Sequence, residues 1–427
     1  MEKEFVLSTM IHQQAEKYGD RAAIYGRNDE TGQWEGISWR EMDKTVEGLA
    51  AGIIGLGVKS NDRVGIFSQN MCEIIMADYA NYSAHAITVP LYATSTASQV
   101  DFIVDDSEIG IIYAGEQYQY DVALEVMKKS KYLRTIVAID PSIDLKGEKN
   151  AIRYSDLLAD GLKNPRTEEI AARKALATND DLVNILYTSG TTGNPKGVMI
   201  SHENIANQVQ NPKSKYNSLL CLATISFDVS VDDILTSLSN GLKLILASDT
   251  QIKNIPELIK LIGKEKPEVC DITPSRFVSY LEVPEFCDVI SYLKCVFLGG
   301  EQFSTKVYEN FKKYSDAIVY NSYGPTETTI TSNNKEVTDI NDITVGHPLE
   351  NYVTDVRDID GKLLPQGVMG ELYIGGTGVG KGYYNMPDKT EEVFLTINDI
   401  PYYKSGDYAI SRPDGEIEIL GRIDNQI

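Results

Sequence analysis

The run YTSGTTGNPKGVMISH, Tyr187 to His202, decides how the chain is read. The apolar stretch Val183 to Tyr187 leads directly into Thr188, Ser189, Gly190, Thr191, Thr192 and Gly193, then Pro195, Lys196 and Gly197. Glycine lets backbone N–H groups turn inward, hydroxyls add donors and a lysine adds a point charge, so the run can wrap a chain of phosphates. A plain surface turn needs no such concentration of hydroxyls, glycines and a lysine. Nor is it a Walker loop: Pro195 stands where the second glycine belongs, and Gly197 rather than Ser or Thr follows the lysine.

Upstream, from about residue 46 to residue 140, helical patterns alternate with short apolar runs at Val64 to Phe67, Ala86 to Val89, Ile111 to Ala114 and Thr135 to Ile139. This rhythm predicts βα units on a mostly parallel sheet. Asp144 to Asp180 is polar and helix-prone and reads as a connection. The rhythm resumes at Val183 to Tyr187, Leu242 to Leu246, Val269 to Ile272, Cys295 to Leu298 and Ile318 to Tyr320. Beyond about Thr344 short β-like pieces follow one another between Gly, Pro and Asp turns. The expected organisation is α/β: a first α/β subdomain over 1–175, a second over 176–343 carrying the phosphate loop, and a smaller β-rich subdomain, a distorted barrel, over 344–424.

Hydrophobic residues make up 42% of the 427, enough to bury a sizeable core without disulfides. The five cysteines are an odd number with no CxxC pairing, and His12, His85, His202 and His347 have no metal-ligand spacing, a pattern that fits reduced thiols better than a disulfide framework or a metal cluster. Acidic residues outnumber basic ones 62 to 40, a formal charge of -22 that disfavours nucleic acid and anionic membranes as partners. No stretch approaches the ~20 apolar residues of a membrane span, and the first twenty residues lack a basic region followed by a hydrophobic run. The expected location is the cytoplasm.

Three more runs carry chemistry. In NSYGPTETT, Asn321 to Thr329, an aromatic after a strand end can stack on a base, Gly-Pro makes a tight turn, and an acidic residue can hold Mg²⁺ against phosphate oxygens. YKSGD, Tyr403 to Asp407, ends in a carboxylate suited to a pair of hydroxyls, and LGRID, Leu420 to Asp424, supplies Arg422. The glycines of GELYIGGTGVGKGYY, Gly370 to Tyr384, read as marks of bulges and tight turns.

Together these runs resemble the adenylate-forming enzymes, the superfamily of acyl-CoA synthetases, luciferases and peptide-synthetase adenylation domains, along essentially the whole chain. The resemblance implies ATP and Mg²⁺ as cofactors. It implies that Thr188, Ser189, Gly190, Thr191, Thr192, Gly193 and Lys196 cover the β and γ phosphates, with Thr192, Lys196, Thr326 and Glu327 in catalytic positions. Asn321 and the Ser322 backbone would read the adenine amino group, Tyr323 would stack on the ring, and Gly300 and Gly324 would lie against the nucleotide. Thr326 would touch the α-phosphate, Glu327 would ligate the metal, Asp407 would accept the ribose hydroxyls, and Arg422 would sit near ribose and phosphate. The family's C-terminal lid, with its lysine, would follow Asp424 and is expected to be missing before Ile427, leaving weak activity.

The segment SFDVSVDD, Ser226 to Asp233, addresses which acid is activated. Phe-Asp-x-Ser resembles the amino-acid adenylation domains of nonribosomal peptide synthetases, in which Asp228 pairs with the substrate α-ammonium; a buried carboxylate is costly unless so paired. Asp228 can also be read as a helix N-cap. By the same resemblance Phe227, Asp228, Val229, Asp232, Asp271, Phe297, Gly299, Ser322, Ile330 and Thr331 line the acceptor pocket, and Asp232 and Asp271 suggest a cationic side chain such as ornithine, lysine or arginine. The partners implied are that amino acid and a peptidyl carrier protein supplying a phosphopantetheine thiol. GQWEGISWREMD and HAITVPLYATSTASQVDFIVDDSEI look more like bacterial acyl-CoA synthetases, so an acyl-CoA synthetase stays open as an alternative, as does a non-catalytic nucleotide-binding module.

Overall fold

The computed structural model describes residues 6–27, 34–188, 195–303 and 305–423. Its apolar runs become strands buried on both faces, as parallel strands covered by helices must be. Val64 to Phe67 is buried throughout, and so are Ile87–Leu91, Ile111–Ala114 and Val269–Ile272. One seven-stranded sheet runs in the order Ala151–Arg153, Thr135–Ala138, Ile111–Ala114, Arg63–Phe67, Ile87–Leu91, Leu182–Thr188, Lys196–Ser201. It is parallel up to its last pair, where Thr188 lies opposite Lys196 in an antiparallel hairpin.

A nine-stranded sheet has a parallel centre and antiparallel ends. Its central order is Ile318–Tyr323, Cys295–Gly299, Val269–Ile272, Ser218–Cys221, Lys243–Leu246, Ala22–Arg27. The third sheet is a five-stranded antiparallel one formed by Tyr352–Arg357, Gly370–Gly376, Phe394–Ile397, Ile400–Ser411 and Ile417–Arg422. The α/β architecture with a separate β-rich sheet is thus the one expected. Sheet membership, however, does not follow a cut at residue 175: Leu182–Thr188 and Lys196–Ser201 complete the sheet of the first half, whereas Ala22–Arg27 and Trp34–Ser38 edge the sheet of the second. Ile24 pairs with Leu244 across a long sequence separation, which no local pattern announces.

Local signals fix the helices. Ser38 caps Trp39–Gly55 in a capping box, its Oγ accepting from Glu41 N (3.2 Å) while the Glu41 carboxylate accepts from Ser38 N (2.9 Å). Those bonds hold the Glu41 carboxyl below its ordinary range. Asp144 to Asp180, read as a connection, contains the helices Tyr154–Lys163 and Thr167–Leu176. All five cysteines are buried free thiols.

Candidate active site

The parallel strands of the nine-stranded sheet end together, and a cavity of about 530 Å³ opens at their carboxyl ends, the usual place for ligands in such sheets. Leu222, Ile272, Gly299 and Ser322, each at or just past a strand end, form its floor with Phe297. The helix Asp228–Asn240 forms one wall, and the turn after Tyr323 forms another. Every residue expected in the acceptor pocket lines it: Phe227, Asp228, Val229, Asp232, Asp271, Phe297, Gly299, Ser322, Ile330 and Thr331. Gly300, Tyr323 and Gly324 line it too.

The turn after Tyr323 is held tightly. A Cβ on Gly324 would come within 2.5 Å of the Ile330 carbonyl oxygen, so only glycine fits. Thr329 and Ile330 adopt positive φ (58° and 75°), a strained conformation for β-branched residues of the kind that concentrates at functional sites. Phe227, not Asp228, is the N-cap residue of Asp228–Asn240, and Asp228 begins the helix. Its carboxylate accepts from Thr326 Oγ1 at 2.5 Å. Burial raises the Asp228 pKa above the ordinary carboxylate range, and the Thr326 bond opposes that only in part.

Next to Thr326, Glu327 is 7% exposed and accepts from the Tyr383 hydroxyl at 2.7 Å. Lys196 Nζ donates to the same hydroxyl oxygen (3.1 Å) and lies 4.5 Å from the centre of the Tyr383 ring. Tyr383 therefore joins the two motifs through one side chain. It sits in the glycine-rich run that was read only for its turns, and its aromatic pair Tyr383–Tyr384 was the available signal. That run also docks by backbone: Gly380 N donates to the Glu327 carbonyl and Tyr384 N to the Gly197 carbonyl.

On the nucleotide side, the Tyr323 hydroxyl donates to Asp407 Oδ2 at 2.5 Å, bringing together residues 84 positions apart. Burial first and the Asp407 charge second push the Tyr323 hydroxyl pKa well up. Arg422 Nη1 donates to the Ser405 carbonyl (2.8 Å) and approaches Asp407 Oδ1 (3.4 Å). Asn321 spends its side-chain amide on the Thr344 carbonyl at 2.7 Å. Ser189, Gly190, Thr191, Thr192 and Gly193 lie outside the described residues; Thr188 and Lys196 are described on either side.

The expected cationic substrate side chain loses its basis here. Asp232 and Asp271 already hold a cation of the protein, Lys213, whose Nζ donates to Asp232 Oδ2 (2.5 Å), Asp233 Oδ1 (3.0 Å) and Asp271 Oδ2. Lys213 comes from the short 3₁₀ turn Pro212–Lys215, in a polar NPKSK stretch that reads as an ordinary loop. Burial works to remove its proton, yet Asp232, Asp271 and Asp233 together hold the ammonium well above its ordinary range.

The family model described as AMP-binding enzyme matches residues 11–384. Bacitracin synthase 3 of Bacillus licheniformis is 30% identical over 98% of this chain, and gramicidin S synthase 2 of Aneurinibacillus migulanus is 30% identical over 92%. The chain spans only 6% and 8% of those long relatives. Among solved structures, the four-domain nonribosomal peptide synthetase AB3403 bound to AMP and glycine is 26% identical, with a TM-score of 0.80 over 99% of this chain and 29% of that one. The N-terminal subdomain of NpsA from Klebsiella oxytoca, at 21% identity and a TM-score of 0.78, shares the fold over 98% of this chain and all of that one. No helix among the described residues is long and apolar enough to cross a membrane. With the matched model spanning both motif strands and the cavity between them, the chain belongs to the AMP-binding enzyme family, the adenylate-forming enzymes, with peptide-synthetase relatives along nearly its whole length.

Proposed function

We propose that this chain activates an amino acid with ATP, releasing pyrophosphate and forming an aminoacyl adenylate, which is then passed to the phosphopantetheine thiol of a peptidyl carrier protein. The observation that carries this reading is Asp228: a carboxylate at the acceptor cavity whose partner is the hydroxyl of Thr326 rather than a lysine or arginine. An α-ammonium is the ligand group that would offset its burial. An acyl pocket for a fatty acid has no use for such a charge.

In this reading the substrate carboxylate is itself the nucleophile, so the protein's work is to position and to balance charge. Asp228 orients the amino acid by its ammonium, which directs the carboxylate toward Thr326. Lys196 and Thr326 face the phosphates, Tyr323 stacks on the base, and Asp407 and Arg422 hold the ribose side. Glu327 suits Mg²⁺: it is a buried hard oxygen donor with one oxygen bonded to Tyr383, and the metal would neutralise phosphate charge there. The loop residues Ser189 to Gly193, outside the described residues, are assigned to the phosphates by their sequence.

Pyrophosphate exchange against a panel of amino acids and of fatty and aryl acids tests the proposal. Exchange with amino acids alone is expected; exchange with fatty acids alone would make the chain an acyl-CoA synthetase core, and AMP binding without any exchange a nucleotide-binding module.

A further inference from the structure

Lys213 fills the inner end of the acceptor cavity with a positive charge of the protein's own. Its three ammonium protons have three carboxylate partners, on Asp232, Asp233 and Asp271, and the lysine is 4% exposed. Asp232 is engaged from another direction as well. Asp232 Oδ1 accepts from Asn211 Nδ2 (2.9 Å) and Thr236 Oγ1 (2.8 Å). Asn211 also caps the 3₁₀ turn by accepting from Lys213 N (2.9 Å), so the residue that steadies Asp232 also aims Lys213. Beyond this knot the wall toward Asp228 is neutral, with Phe297, Gly299, Ile330 and Thr331, while Arg276 adds a second cation at the cavity.

We propose that Lys213 is a specificity-determining residue whose ammonium occupies the place beside Asp232, Asp233 and Asp271 that a substrate cation would need, so that the pocket takes amino acids with neutral side chains and rejects ornithine, lysine and arginine. This rests on the amino-acid reading above and adds the class of side chain. A substrate cation arriving here meets an ammonium already seated on all three carboxylates, with which it must compete for space and for the same oxygens. A neutral side chain faces no such competition. Lys213 acts through the three carboxylates and is a positioning residue rather than a catalytic one.

The test is calorimetric binding of sulfamoyl-adenosine analogues carrying alanyl, leucyl, threonyl, glutamyl, ornithyl, lysyl and fatty-acyl groups, measured on this chain and its variants. The unaltered chain should bind at least one neutral analogue about tenfold or more tightly than the ornithyl and lysyl ones. Lys213→Met should shift the cationic-to-neutral ratio by about tenfold or more toward the cations, because it exposes the carboxylates. A merely structural role would weaken all analogues together. Asp232→Asn with Asp271→Asn keeps the lysine, removes the buried anions and guards against a Lys213→Met variant that does not fold; it should move the ratio the opposite way and favour the glutamyl analogue. Unchanged ratios in the variants that fold, or an unaltered chain preferring the ornithyl or lysyl analogue, would overturn the role of Lys213 while leaving amino-acid activation intact. Binding confined to a fatty-acyl analogue would overturn both.

Discussion

The two ends of the acceptor cavity hold the same kinds of residue in opposite electrostatic states. At the inner end, Asp232, Asp233 and Asp271 close around Lys213. At the outer end Asp228 accepts from Thr326 Oγ1 and the Val229 backbone, Glu327 just behind it accepts from the Tyr383 hydroxyl, and the nearby Lys196 reaches Tyr383 rather than either carboxylate. A hydroxyl satisfies geometry without bringing opposite charge, and an ammonium brings both. The protein has therefore finished one end internally and left the other to be completed by what binds, an ammonium at Asp228 and a metal at Glu327 in the proposed reaction. Acidic residues in a sequence cannot tell these cases apart; their partners can.

Breaking the finished end should cost most. Lys213→Ala strands buried carboxylates without their cation and should lower folding stability by about 3–5 kcal/mol, read from urea unfolding. Adding Asp232→Asn and Asp271→Asn to that variant should recover much of the loss. If the single variant is as stable as the parent, the knot does not bear the charge balance assigned to it.

Breaking the open end should spare the fold and remove the ligand. Asp228→Ala should weaken amino-acid binding at least about a hundredfold, in the range of about 2–5 kcal/mol for a lost charged partner. ATP binding and the unfolding curve should change little, since the carboxylate has only Thr326 and the Val229 backbone to lose. An unaltered amino-acid affinity would dissolve the contrast between the two ends.

How much of this was legible beforehand depended on the distance over which the physics acts. Strands such as Val64 to Phe67 and Ile111–Ala114 announce themselves because parallel strands buried on both faces must be largely apolar. The residues expected from their motif to form an acceptor pocket all line one cavity. The parallel pairing of Ala22–Arg27 with Lys243–Leu246 was missed, because the partner strand is more than two hundred residues away. Lys213 was missed for a related reason: a lysine in a polar turn looks solvated until the fold buries it against carboxylates 19, 20 and 58 positions later. That one omission turned Asp232 and Asp271 into apparent ligands for a substrate cation.

A buried base on which burial outweighs the opposing charge of Asp181 gives the comparison its control. His202, at the end of the hairpin strand that carries Lys196, accepts from Leu7 N through Nδ1 (3.2 Å), and burial lowers its pKa to about 4. Above the unfolded value of 6.5 it is neutral in both states and costs nothing. As pH falls from 6.5 toward about 4 only the unfolded chain gains the proton, so stability is lost across that window and the loss stays constant below it. Relative to His202→Asn, the parent should lose about 3 kcal/mol between pH 7 and pH 4 in urea unfolding. Asp78, whose burial raises its pKa to about 6, works in the opposite sense but is common to both proteins and cancels. A constant difference across the range would mean that His202 titrates normally.

The smallest effect is expected at Tyr383, and it sharpens what the open end is. Tyr383→Phe removes one hydroxyl that donates to Glu327 and accepts from Lys196, while leaving the ring over which Lys196 lies. Stability should fall by about 1 kcal/mol, the net worth of an ordinary hydrogen bond. Function should change differently: with its tether gone, Glu327 is no longer held beside Thr326, and the Mg²⁺ concentration giving half-maximal pyrophosphate exchange should rise several-fold while the amino-acid KM stays put. Tyr383→Ala removes the ring as well, along with its edge contact to Phe394 and the seat for Lys196, and should add a rise in the KM for ATP. If Tyr383→Phe altered the amino-acid KM instead, the hydroxyl would be serving the Asp228 side of the cavity, and the division of the open end into an ammonium site and a metal site would have to be redrawn.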